Sequence, residues 1–129
     1  MAFFDVKLKE TYLSWGSYRY TKSRETIYGE GYLPIPADFA KNNNIYNSNN
    51  NRTGIGFNKF NFSTDDKFIT DGILKASGCS CAGDIHAKNL HVSGNLKGLG
   101  SWFAHINAKV GDIIRVDFIS PTYVKLTKL

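Results

Sequence analysis

Proline is scarce in this chain, three in 129 residues, and cysteine (two) and methionine (one) are scarcer. Two cysteines cannot build a disulfide framework, and Cys79 with Cys81 would make a strained bridge, so disulfides are excluded as the source of stability. No run of about 18 apolar residues occurs, which excludes a helical membrane span. The first ten residues, MAFFDVKLKE, are interrupted by charge and have no long apolar stretch. A secretory signal is therefore not expected, and the cytoplasm is the expected compartment. Phosphate loops and dinucleotide fingerprints are also missing. Gly29-Glu30-Gly31 and Gly54-Ile55-Gly56 lack both the third glycine and the helix that should follow. No internal repeat is present.

What the chain does have is aromatic and β-branched residues in short runs, separated by Gly, Asn, Ser and Asp. Hydrophobic residues make up 42% and aromatics 14%, enough for one core in a single domain spanning residues 1–129. Alternation predicts strands over residues 11–20, 26–35, 55–62, 68–76, 85–92, 113–119 and 123–126, with residues 3–8 a strand or short helix. In residues 113–119, Ile114, Val116 and Phe118 share one face, and Gly111-Asp112 before them has the composition of a tight turn, the Asp bonding backbone two residues on. Short helices are predicted at 37–42, led by Pro36 at its first position, and at 102–106. Residues 42–51 hold seven asparagines in ten and read as a long loop outside the core. The expectation is a mostly β fold, a barrel or pseudobarrel with two short helices.

Acidic residues are outnumbered, 11 against 16 Lys and Arg, for a net charge of +5. Their placement says more than the total. Residues 11–24 and 39–62 carry Arg and Lys with no acid, and 72–97 carry Lys75, Lys88 and Lys97 against Asp84 alone. Positive charge gathered in candidate loops suits a polyanion-binding surface.

The chemistry-bearing motifs are few. Cys79, Cys81, His86 and His91 form C-x-C-x4-H-x4-H, tighter than common zinc spacing, and a continuous strand would send the two histidines to opposite faces. Asp71 with Lys75 is only a fragment of a nuclease centre, and nothing orders a base against a nucleophile. No catalytic residue, metal, cofactor or small-molecule substrate is expected. Side chains that read DNA are better represented. The first hairpin offers Ser17, Tyr18, Arg19, Lys22 and Arg24, and the asparagine-rich loop offers Asn51 and Arg52. Residues 75–95 offer Lys75, Ser77, Ser80, Asp84, His86, Lys88, Asn89 and Asn95.

Three stretches carry a resemblance. YLPIPADFA (residues 32–40), LKASGCSCAGDIHAKNL (74–90) and GSWFAHINAKVGDIIRVDF (100–118) resemble the plant B-three DNA-binding pseudobarrel. They also resemble its bacterial counterparts, the DNA-recognition domains of type II restriction endonucleases. The resemblance implies a seven-stranded open pseudobarrel that grips the major groove of double-stranded DNA with two arms, near residues 15–26 and 75–89. It implies sequence-specific, non-catalytic recognition in a restriction-type system, with a nuclease domain or subunit as partner. Two alternatives remain: a small metal-dependent nuclease, and a single-strand or RNA-binding barrel in which Tyr18, Tyr20, Tyr28 and Phe60 stack bases.

Overall fold

The computed structural model describes residues 2–9, 31–46, 54–77, 86–94 and 97–129. Seven strands form one sheet: β1 (Ala2–Lys7), β2 (Leu33–Pro34), β3 (Lys59–Thr64), β4 (Gly72–Ser77), β5 (Asn89–Val92), β6 (Ile113–Ser120) and β7 (Tyr123–Lys128). Two short helices, α1 (Ala37–Asn42) and α2 (Gly98–His105), complete the described elements. The strand order is β1-β6-β7-β3-β4-β5-β2, antiparallel throughout except for the parallel β3–β7 pair.

The sheet curls into a nearly closed barrel because each strand buries alternate residues. Phe4 and Val6, Phe60 and Phe62, Leu74 and Ala76, Ile114 and Val116, and Val124 and Leu126 all point inward. The alternation expected over 113–119 holds residue for residue. Phe39 of α1 caps one mouth of the barrel, meeting Phe4 edge-on at 4.7 Å and Phe118 at 5.6 Å. Trp102, Phe103 and Leu99 of α2 are buried. The Trp102 indole N–H donates to both carboxylate oxygens of Asp66, at 3.3 and 3.1 Å.

The two edge strands, β1 and β2, face each other across a seam. Asp5, Val6 and Lys7 on one side and Pro34, Ile35 and Pro36 on the other line a cavity of about 250 Å³. The stagger of a barrel therefore brings the end of β1 beside the end of β2, and β2 in turn pairs with the start of β5 through Pro34 and Asn89. The Ile35 amide extends this contact, donating to the Lys88 carbonyl at 2.7 Å.

Several expected boundaries move. The asparagine-rich stretch is not wholly outside the core: Ile45 is 1% exposed, its amide bonded to the Ala40 carbonyl and its carbonyl to the Ala87 amide. The strand read over 55–62 starts only at Lys59. Gly54 and Gly56 have positive φ, and the Gly54 carbonyl accepts from the amides of Phe57, Asn58 and Lys59. Likewise β4 starts at Gly72 rather than 68. Phe68 stays 43% exposed, stacked 4.2 Å from His105. Helix α2 starts four residues earlier than read, at Gly98. Pro36 is the residue before α1, in extended conformation, rather than its first helical residue. The Asp112 carboxylate accepts from the amide of Lys109, three residues back, rather than from backbone two residues on.

Candidate nucleic-acid interface

Of the side chains expected to read DNA, Lys75, Ser77, His86, Lys88 and Asn89 lie among the described residues. Ser17, Tyr18, Arg19, Lys22, Arg24, Asn51, Arg52, Ser80, Asp84 and Asn95 lie outside them, as do Cys79 and Cys81. The structure brings the five together at the root of the β4–β5 connection. Lys75 and Ser77 alternate with buried Leu74 and Ala76, so they stand on the outer face. Ser77 is registered opposite Asn89, and Lys75 opposite His91. The Lys88 amide donates to the Ser77 carbonyl at 2.9 Å, which sets both Lys88 and Asn89 against Ser77. Two residues facing one in this way re-aim side chains at the end of a ladder. His86 sits just outside β5, bridged to Tyr46 and stacked on its ring at 5.8 Å.

Charge is divided unevenly over the barrel surface. On β6 and β7 the cations stand beside carboxylates. Arg115 Nε is 2.9 Å from Asp5, Lys125 Nζ 3.3 Å from Asp65, and Lys128 Nζ 3.6 Å from Asp112. The hydrogen bond to Arg115 is the main reason the Asp5 carboxyl falls below its ordinary pKa and the guanidinium rises above its own. The sequences of β3, β4 and β5, by contrast, contain no acid at all. Acids gather instead at the β3–β4 turn, where Asp65, Asp66 and Asp71 lie. At the opposite end of these strands stand Lys59, Lys75, Ser77, Lys88 and Asn89.

The seam also draws the roots of the two expected arms together. The connection that holds Ser17 to Arg24 leaves the sheet after β1, at Lys7 and Lys9, both exposed. The connection that holds Ser80 and Asp84 returns at Lys88 and Asn89. Among the described residues the short β2 lies between these roots: Pro34 and Ile35 line the seam cavity with Asp5, Val6 and Lys7, and Pro34 pairs with Asn89.

Sequence reasoning missed Lys59, Asn61 and His91 as members of this face. Each alternates with a buried neighbour and was legible as outward-pointing, but only the register shows that they adjoin Lys75.

No family model, curated protein or solved structure matches this chain. The site is therefore read on its own chemistry. Among the described residues no group of three or more His, Cys, Asp and Glu is gathered as a metal would need. Asp71 does not approach Lys75 along an extended strand, since β4 carries Lys75 about 10 Å beyond Gly72. Phe60 is 2% exposed in the core, so it offers no face for stacking a base. No helix among the described residues is long and apolar enough to cross a membrane.

Proposed function

We propose that this chain is a cytoplasmic, non-catalytic domain of the B-three-like type that binds double-stranded DNA sequence-specifically through the major groove. It would serve as the target-recognition part of a restriction-type system, beside a nuclease domain or subunit. The observation that carries the reading is the acid-free outer face of β3, β4 and β5, which runs into the β4–β5 connection at Lys75, Ser77, Lys88 and Asn89. Arg and Lys suit guanine O6 and N7, Asn suits adenine N6 and N7, and Ser suits phosphate, so the face combines cations with side chains that discriminate bases. The closeness of the two arm roots across the seam supports a two-armed grip. Lys7 and Lys9 on one side and Lys88 on the other would line a single approach for the duplex.

The alternative of a single-strand or RNA-binding barrel loses Phe60, one of its four stacking residues, to the core. Titration of a labelled duplex, with single-stranded DNA and RNA as competitors, tests the reading. Binding to duplex that excess single strand does not displace is the expected result. Preferential binding of single strand overturns it, as does cleavage of a plasmid in magnesium by the purified chain.

A further inference from the structure

Lys59 on β3 and Lys75 on β4 are registered directly opposite each other on adjoining strands of the acid-free face. The Ala76 amide donates to the Asn58 carbonyl at 2.6 Å. That makes Asn58 and Ala76 a hydrogen-bonded pair, and places Lys59 and Lys75 in the adjoining non-hydrogen-bonded position. Opposed side chains come closest there, with Cβ atoms about 4.5–5.5 Å apart. Like charges in such a position repel, and a carboxylate nearby would be the ordinary remedy. Arg115, Lys125 and Lys128 each have one. Among the described residues, Lys59 and Lys75 have no carboxylate partner.

The backbone beneath them is firmly set. The Gly54 carbonyl accepts from the amides of Phe57, Asn58 and Lys59 at 3.1, 3.1 and 3.0 Å. The buried Asn58 returns a contact, its Oδ1 accepting from the Gly54 amide at 2.6 Å. The strand therefore begins with Lys59 held opposite Lys75. Around the pair stand Asn61, Ser77 and His91, all hydrogen-bonding groups.

We propose that Lys59 and Lys75 together hold one phosphate of a nucleic-acid backbone, so that the bound strand crosses β4 and β3 beyond the β4–β5 connection. This rests on the DNA-binding reading above and extends it. The pair is a two-point cradle for one anionic group, here a phosphate of the backbone. Its contribution is then independent of sequence.

The test is the salt dependence of binding to one duplex by the full chain, compared with Lys59→Gln, Lys75→Gln, the double variant and Lys59→Arg. Each neutralised phosphate adds about 0.9 to the slope of log affinity against log salt. Each single Gln variant should lose well under about 0.9 of slope, because the remaining lysine still neutralises the shared phosphate. The double variant should lose about 0.9 in all, which makes its affinity loss between 50 and 200 mM salt about 3.5-fold smaller, and Lys59→Arg should keep the parent slope. A double variant that loses about 1.8 means two separate phosphates and overturns the shared cradle. Unchanged slopes in all variants overturn the inference while the DNA-binding reading stands. A parent chain that binds no duplex overturns both. The unliganded Gln variants supply a second readout, since relief of the repulsion should raise their unfolding midpoints. A fall in midpoint in both contradicts the crowding on which the cradle depends.

Discussion

Replacing Trp102 by Phe isolates one polar contact in the core. The indole N–H donates to both oxygens of Asp66, while the ring itself is 1% exposed. Phe keeps an aromatic ring in the cavity and removes the donor. A hydrogen bond to a charged group contributes about 1.5–3 kcal/mol, and the Asp66 side chain is 34% exposed, so water recovers part of the loss. The lower end, about 1.5 kcal/mol, is the polar share, and the smaller ring adds about 1 kcal/mol for unfilled volume. The expected destabilisation near pH 7 is about 2.5 kcal/mol.

The pH dependence separates the two shares. Burial pushes the Asp66 carboxyl up, but hydrogen bonds from Thr64, the Phe68 amide and Trp102, with His105 nearby, outweigh it and hold the group below its ordinary range. A carboxylate lowered on folding stabilises above its unfolded value, about 3.9, and that stabilisation fades as pH falls through the folded value beneath it. Urea unfolding followed by circular dichroism should therefore show the gap between parent and Trp102→Phe narrowing below pH 4, towards the volume share alone. A gap that is equal at pH 7 and pH 3 would show that the carboxylate plays no part and refute the reasoning.

Ile45→Ala should cost about 2–4 kcal/mol in the same assay, because Ile45 is a core residue set between α1 and Ala87, and a loss under 1 kcal/mol would place it outside the core. Asn89→Ala should relax preference at one base pair of a bound duplex by about 1–3 kcal/mol in competition titrations if Asn89 reads a base edge. A uniform loss across sequences would assign it to the backbone instead.

Much of the fold was legible because one physical rule governs it. Where a strand has one buried face, period-two alternation follows, and Ile114, Val116 and Phe118 show it plainly. The rule fails where a residue answers to something non-local. Gly98 and Gly100 look like turn residues, yet both belong to α2. A Cβ on Gly98 would meet the Val92 side chain at 2.5 Å, so glycine is there for close packing of helix on strand. Ile45, set with Tyr46 among asparagines, gives no periodic signal, and its burial depends on Ala40 and Ala87. Phe68 reads as a strand residue, but its ring lies on His105 at the surface. The candidate site divides in the same way. Lys75, Ser77, Lys88 and Asn89 were visible as an acid-poor segment rich in base-reading side chains. Lys59 and His91 join them only through cross-strand register, which a linear pattern does not encode.

Sequence-specific recognition of duplex DNA is the central claim, and selection of bound fragments from a random duplex pool tests it most directly. Successive rounds with the full chain should enrich one short motif, and Lys88→Ala or Asn89→Ala should weaken or alter that enrichment. A pool that stays random through selection, while the protein remains folded, would contradict the account.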